Sequence, residues 1–238
     1  MILILIVILS ILVGFFVNLL SEIPYQKEDR INYFDIGKLL MLPTKKKNRF
    51  FLVMLICVVL GVSLFFLIPH QNLYLISYIF TVYLVWITIV DVEHREIILG
   101  AIIPSVIVLG FFGVYLHGFW SALVGCLSGF VVQCAIYLFG LIYKWVTVKL
   151  LKRDNLPSDP LGFGDVIITG VIGLVLGWPH AIYALIGAWI IGCIYAWAVI
   201  VYKSIRNHDD ILESSVPYIV FISLGTLFSY ALFCIDVI

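Results

Sequence analysis

The sequence predicts an all-α integral-membrane protein, a polytopic bundle of about eight transmembrane helices. Hydrophobic residues make up 63% of the 238 residues and charged residues only 12%, against about 25% charged in soluble domains. The mean hydropathy is +1.17. Because a helix needs about 20 apolar residues to cross the hydrocarbon core of a bilayer, the chain is long enough for several crossings. This composition excludes a soluble globular protein.

Eight apolar stretches, each bounded by charged residues or by turn residues, are candidate crossings. The first lacks the basic start and the small-residue cleavage site of a signal peptide, so we expect it to remain as a span. Together the stretches predict a single membrane-embedded domain over residues 1–238. They cover residues 1–20, 50–68, 73–90, 97–116, 119–143, 162–178, 181–202 and 216–236.

All fourteen Lys and Arg residues fall in alternate connections between these spans. The connections 21–49, 91–96, 144–161 and 203–215 hold seven, one, four and two of them, and the other connections hold none. Since basic residues accumulate in cytoplasmic connections, the pattern predicts an outside N-terminus and places these four connections in the cytoplasm. The net charge is zero, so no nucleic-acid partner is indicated. The basic residues of 21–49 favour contact with anionic membrane lipid, and docking of a substrate is the alternative role.

Small residues recur at four-residue spacing in the fifth span, at Ser121, Gly125 and Gly129. This spacing places them on one helix face and permits the close approach of another helix. The sixth and seventh spans carry further glycines, at Gly170, Gly173, Gly177, Gly187 and Gly192. These patterns predict a tightly packed bundle and do not by themselves indicate a chemistry.

Two aspartates stand directly against apolar stretches. Asp91 ends the third span, and Asp165 lies in the start of the sixth, beside Gly162 and Gly164. Ionisable groups at membrane depth are costly and indicate function by default, although each aspartate alone could equally be a helix cap or an interface residue. The predicted topology places both at the cytoplasmic boundary. There they could form a dyad in which one carboxylate activates a water and the other protonates the leaving group, and glycine would permit unusual backbone geometry or a close approach beside the acid.

The helix termini predict which aspartate holds the proton of such a dyad. Asp91 lies at the C-terminal end of a span, where the helix dipole disfavours a negative charge, and Asp165 lies near an N-terminal end, where the dipole favours it. We therefore expect the resting proton on Asp91 and the water-activating charge on Asp165. Arg95 would reverse this assignment if its side chain turned back toward the site.

Other catalytic chemistries find little support in the sequence. Four of the histidines are scattered without the spacing of metal ligands, and the five cysteines form no CxxC pair, so no metal site is predicted. No Ser or Cys stands beside a plausible base within a motif, which disfavours a nucleophilic mechanism. The histidines concerned are His70, His117, His180 and His208.

The chain resembles the prepilin peptidase family, membrane aspartyl proteases that carry a GxGD motif and cleave the leaders of type IV prepilins. Residues 162–165 match the GxGD signature, and Asp91, followed by Val92 and the polar residues 93–95, matches the second catalytic segment. The resemblance implies that Asp91 and Asp165 are the catalytic residues, and that the supporting motif residues are Gly162, Phe163 and Gly164. Further agreements lie in the sixth, last and first spans, at Gly173, Gly177, Trp178, Pro217, Gly225, Gly14 and Asn18.

The resemblance also implies a location and a partner. We expect an endopeptidase of the bacterial inner membrane whose active site faces the cytoplasm and whose substrate is a prepilin or pseudopilin. Peptidase chemistry implies no cofactor, and S-adenosylmethionine would be needed only if the N-methyltransferase activity of bifunctional members is retained. Residues 21–49 contain no cysteine and so lack the CxxC zinc-binding insert that accompanies that activity. A non-catalytic scaffold of a pilus or secretion assembly and a transporter are the alternatives, and the sequence leaves the oligomeric state open.

Overall fold

The described residues form eight α-helices and no strand, which confirms the predicted all-α fold. In this computed structural model the described ranges are 2–22, 47–68, 70–94, 99–151, 162–205 and 218–237. Arg95, His208 and Pro217 lie outside these ranges, and so does most of the connection 21–49. The predictions made for them concern residues that the structure does not describe.

Each predicted span corresponds to one helix. Five helices of the described ranges, α1, α2, α3, α5 and α7, are long and apolar enough to cross a membrane, and α4, α6 and α8 contain shorter apolar stretches. The chain is therefore a multi-pass membrane protein. The helices are Ile2–Glu22 (α1), Lys47–Leu67 (α2), Gln71–His94 (α3), Leu99–His117 (α4), Phe119–Leu151 (α5), Phe163–Leu176 (α6), His180–Ile205 (α7) and Tyr218–Val237 (α8).

The largest difference from the predicted bounds is at the end of α5. The apolar pattern ends near residue 143, yet the helix continues to Leu151. Its added turns contain Lys144 and Lys149, and the Lys149 Nζ lies 4.6 Å from the centroid of the Trp145 ring. Lysine is a good helix former, so the helix does not end where its apolar pattern ends, and it reaches about 50 Å in length.

The described residues group into two compact units, Met1–Val90 and Asp91–Ile238. In the first unit α1 packs closely on α2, because a Cβ atom on Gly14 would lie only 2.9 Å from the Met54 Cα. Asn18 is buried in α1, and its Nδ2 donates a hydrogen bond of 2.9 Å to the Gly14 carbonyl. This bond satisfies a polar side chain inside an apolar helix. The prediction of a single domain stays a prediction.

In the second unit α5 and α6 run antiparallel with their backbones in contact. A Cβ atom on Gly125 would overlap the carbonyl oxygen of Gly173, and one on Gly129 would lie 2.7 Å from the carbonyl oxygen of Thr169. Gly125 thus lies opposite Gly173, and Gly129, four residues later in α5, lies opposite Thr169, four residues earlier in α6. This register confirms that the small residues form a packing face.

The C-terminal end of α6 is closed by Gly177, whose φ of +66° favours glycine. The Gly177 amide donates to the Gly173 carbonyl at 3.0 Å, and the next amide, of Trp178, donates to the Ser121 carbonyl of α5 at 3.1 Å. The side chains of Trp178 and Trp120 are 53% and 73% exposed. Exposed tryptophans at a helix end are typical of the membrane–water interface.

The last helix, α8, is held against α7 by a second close approach. A Cβ atom on Gly225 would overlap the carbonyl oxygen of Ala184 and lie 3.1 Å from the Ala188 Cα. Further along, the Ser229 hydroxyl donates to the His180 carbonyl at 2.7 Å. These contacts fix the axial position of α8 and thus the position of its first residues.

Candidate active site

Both predicted aspartates are buried in the second unit. Asp91 lies in the last turn of α3 and is 8% exposed, and Asp165 lies in the first turn of α6 and is 6% exposed. Their carboxyl groups are close enough to interact electrostatically. Burial and the mutual repulsion of two like charges both oppose the state in which the two groups are ionised together.

Gly162 lies directly beside the Asp165 carboxyl. It is the N-cap of α6 with φ −75° and ψ 136°, which is an extended conformation open to any residue, so the first of the two roles expected of glycine, unusual backbone geometry, does not apply at Gly162. Its carbonyl accepts a hydrogen bond of 3.1 Å from the Asp165 amide. A Cβ atom at Gly162 would lie 3.7 Å from the Asp165 Oδ2. The glycine therefore keeps an apolar methyl group off the carboxyl.

The other two motif residues lie in the first turn of α6. Phe163 is 51% exposed, and its ring packs edge-on against Tyr137 of α5 at a centroid distance of 5.8 Å. Gly164 is partly buried in the same turn. The Phe163 contact extends the α5–α6 register to the very start of α6, where Asp165 lies.

The N-terminus of α8 contacts Asp91, which the sequence analysis missed. The Ile219 amide donates a hydrogen bond of 3.2 Å to the Asp91 Oδ2, and amides in the first turn of a helix carry partial positive charge. This contact favours the ionised form of Asp91 and opposes the prediction that Asp91 holds the resting proton. A proline at residue 217, just before the helix, is a typical helix start and is the signal that could have revealed these amides.

Tyr218, the first residue of α8, lies near the other carboxyl. Its hydroxyl accepts a hydrogen bond of 3.1 Å from the Trp189 Nε1 and interacts electrostatically with Asp165. Two consecutive residues of one helix thus act on both aspartates, Tyr218 on Asp165 and Ile219 on Asp91. Val216, Pro217 and Tyr218 form the stretch that resembles the closing Pro-rich segment of the prepilin peptidase family, but the resemblance assigned neither Tyr218 nor Ile219 a role at the carboxyl pair.

Gln133 is the third residue that the sequence analysis missed. It lies four residues beyond Gly129 on α5 and is 0% exposed. Neither its Nε2 nor its Oε1 makes a hydrogen bond among the described residues, although the Tyr218 hydroxyl is close enough to interact with it. An amide side chain in the middle of an apolar span is itself the signal that could have found it.

Two of the histidines interpreted as scattered lie together. The ring centroids of His117 and His180 are 6.5 Å apart, and both rings pack on Phe233. The His117 ring is hydrogen-bonded to the Val175 carbonyl at 3.0 Å, so the pair lies at the end of α6 opposite to Asp165. Within the ranges that the structure describes, no three His, Cys, Asp or Glu residues form a group that could hold a metal ion.

The arrangement has the parts that hydrolysis by a carboxyl pair requires. One carboxyl, Asp91, receives a backbone amide that stabilises its charge, and the other, Asp165, is buried next to a phenol. If a water molecule is bound between the two carboxyls, the ionised carboxylate can accept a proton from that water, and the protonated carboxyl can donate a proton to the substrate.

Comparison with known proteins identifies a family. The family model described as the type IV leader peptidase family matches residues 78–197, which is half of the chain. The matched range includes Asp91 and Asp165 and the helices α4, α5 and α6. No curated protein and no solved structure matches the chain.

Proposed function

The chain belongs to the type IV leader peptidase family, and from this premise we propose that it is an aspartic endopeptidase. Its substrate would be a prepilin or pseudopilin, whose basic leader it would remove on the cytoplasmic side of the bacterial inner membrane. The observation that carries the proposal is the buried, interacting pair Asp91 and Asp165. Two carboxyls with opposed protonation states are sufficient to hydrolyse a peptide bond without a metal.

In the proposed mechanism Asp91 is ionised at rest and Asp165 holds the proton. Asp91 takes a proton from the bound water as the water oxygen attacks the scissile carbonyl carbon, and Asp165 gives its proton to the carbonyl oxygen. The resulting gem-diol collapses when Asp91 passes its proton to the departing nitrogen and Asp165 recovers a proton from one hydroxyl. The Ile219 amide would stabilise the charge on Asp91 at the start of this cycle.

Removal of the Ile219 amide is expected to slow cleavage. Ile219→Pro deletes the N–H that Asp91 accepts, and proline is tolerated in the first turn of a helix. Because a hydrogen bond to a charged group contributes about 1.5 to 3 kcal/mol, we expect kcat to fall by about 10- to 100-fold. Steady-state kinetics on a prepilin-like peptide measures the change.

Val220→Pro is the matched control, because it places the same restriction one residue further along and keeps the Ile219 amide. We expect Val220→Pro to retain most of the wild-type kcat. Equal losses in the two variants would show that the start of α8 matters only as a helix and not as a donor to Asp91.

The proposed orientation is tested by reporter fusions. Fusions within the connections 21–49, 144–161 and 203–215 should report the cytoplasm, because these connections hold thirteen of the fourteen basic residues. Fusions near residues 70, 117 and 179 should report the outside, because the connections there hold none. A cytoplasmic signal at residue 117 would contradict the eight-span topology and the cytoplasmic placement of the carboxyl pair.

The proposed activity is tested by co-expression with candidate prepilins and mass spectrometry of their N-termini. A shortened N-terminus that depends on this protein supports the peptidase, and a further methyl group on the product would show that N-methylation, with its S-adenosylmethionine, is retained. Uncleaved prepilins would favour the scaffold alternative. Ion flux into proteoliposomes would favour a transporter.

A further inference from the structure

Gln133 occupies the position of α5 that faces Asp165. The pairs Gly125 with Gly173 and Gly129 with Thr169 set the antiparallel register of α5 and α6. One further four-residue step leads from Gly129 to Gln133 on α5 and from Thr169 to Asp165 on α6. The Tyr218 hydroxyl interacts with both Gln133 and Asp165, which is an independent indication that the two side chains share one site.

Burial of the Gln133 amide lowers the stability of the folded protein. The side chain is fully buried, and neither its donor nor its acceptor has a hydrogen bond among the described residues. Such a group loses its contacts with water, and the Tyr218 hydroxyl nearby, which already receives the Trp189 Nε1, compensates for only part of that loss. By contrast, the buried hydroxyl of Thr169, on the opposing helix, is satisfied by the Asp165 carbonyl at 2.6 Å. A glutamine whose amide makes no hydrogen bond of normal geometry among the described residues, beside the candidate catalytic pair, is therefore available for a ligand.

The chemistry of that ligand follows from the amide itself. A primary amide offers one donor face and one acceptor, which match the C=O and N–H of a peptide group. In a helical substrate these backbone groups are already hydrogen-bonded within the helix. The helix must unwind around the scissile peptide bond before a water can attack it. The backbone C=O and N–H groups that unwinding frees then need new hydrogen-bond partners at membrane depth. Gln133 can supply such partners next to Asp165.

We propose that Gln133 binds a backbone peptide group of the extended substrate segment next to the scissile bond. This inference rests on the proposed peptidase function. It assigns Gln133 a binding role that is independent of the side-chain sequence of the substrate.

The substitution that tests the proposal is Gln133→Met, which keeps the unbranched shape and removes both polar atoms. With a synthetic prepilin-like peptide that spans the junction of the basic leader and the apolar segment, we expect kcat/KM to fall by about 10- to 100-fold. We expect the melting temperature of the variant to equal or exceed that of the wild type, because an unpaired polar group has been replaced by an apolar one. A purely structural glutamine would give the opposite result, with loss of stability and activity together, and would overturn the proposal.

Ser128→Ala is the matched control on the same helix. The Ser128 hydroxyl is satisfied by the Gly125 carbonyl at 2.9 Å, so its loss should leave kcat/KM unchanged. If Ser128→Ala lowers kcat/KM as much as Gln133→Met, the effect belongs to the helix as a whole and the proposal is wrong.

A set of ester-containing peptides identifies the contact directly. In each peptide one backbone N–H within three residues of the scissile bond is replaced by oxygen, which also weakens the neighbouring carbonyl as an acceptor. We expect one ester position to lower kcat/KM for the wild type but not further for Gln133→Met, because the partner is already gone. Strictly additive losses at every position would overturn the proposal. If Asp91→Asn and Asp165→Asn remained active, the proposed function itself would fail, so the two failures are distinguishable.

Discussion

Replacement of Asp91 or Asp165 by Asn is expected to lower leader cleavage by about 10⁴-fold. Each substitution keeps the shape of the side chain and removes either the group that takes a proton from water or the group that protonates the carbonyl oxygen. Both variants should insert and fold, because asparagine keeps the shape of the side chain and cannot ionise, so each variant removes the repulsion that opposes joint ionisation of two neighbouring buried carboxyls. The measurement is cleavage of a prepilin-like peptide by purified protein, together with its melting temperature.

Asp236→Asn is the control for these variants. Asp236 lies in the last turn of α8, at the end of that helix opposite to Tyr218, so the same change of Asp to Asn there should leave the cleavage rate within a few-fold of the wild type. Chelating agents should also have no effect on the rate. Near-normal turnover by Asp91→Asn or by Asp165→Asn would refute the dyad, and inactivation by a chelator that zinc reverses would indicate a metallopeptidase instead.

The second large effect is expected at Gly125, where α5 and α6 come closest. Gly125→Ala would place a Cβ atom on the Gly173 carbonyl oxygen and 2.8 Å from the Gly177 Cα. Both obstacles are backbone atoms, so the helices must separate, and we expect a loss of about 3 kcal/mol in the free energy of unfolding. Activity should fall as well, because the same register places Gln133 opposite Asp165. Thermal unfolding in detergent and the peptide assay measure the two effects.

Gly110→Ala in α4 is the matched control for this substitution. The nearest atom to a Cβ there is the flexible end of Leu174, its Cδ1, at 3.9 Å, which is an ordinary contact. Because alanine favours a helix over glycine by about 1 kcal/mol, Gly110→Ala should be neutral or slightly stabilising. Equal destabilisation by both substitutions would show that glycine is needed in these helices for a reason other than close approach.

The fold could be predicted because a bilayer allows few solutions. Backbone groups in hydrocarbon must be satisfied within the segment, so each apolar stretch of sufficient length becomes a helix, and all eight stretches did. The end of α5 was missed because hydropathy marks where a helix leaves the hydrocarbon and not where it stops, and the added turns carry Lys144 and Lys149.

The residues of the candidate site could be predicted only where a polar or charged residue stands among apolar neighbours in the sequence. Asp91 and Asp165 stand out as charges against apolar stretches. Pro217 indicates a helix start near Ile219, but the sequence does not show that this helix starts beside the end of α3, where the Ile219 amide reaches Asp91. Gln133 could have been identified, but its meaning depends on the α5–α6 register, which becomes visible only when Gly125 and Gly129 are matched to their partners on α6.

The same limit explains the histidine pair. His117 and His180 belong to different helices, and no spacing in the sequence relates them. They meet because α4 and α7 approach the same end of α6, where Phe233 of α8 packs between them. The spacing of residues within one helix cannot predict a contact among His117 of α4, His180 of α7 and Phe233 of α8.

The short length of α6 has a consequence for the membrane around the carboxyl pair. Asp165 precedes the exposed Trp178 by thirteen residues, which corresponds to about 20 Å along a helix. A hydrocarbon core is about 30 Å thick, so this segment is too short to reach both of its surfaces. A helix shorter than the local bilayer is accommodated by thinning of the bilayer around it. We therefore expect the lipid next to α6 to be locally thinned, which brings the headgroup region and its water closer to Asp165.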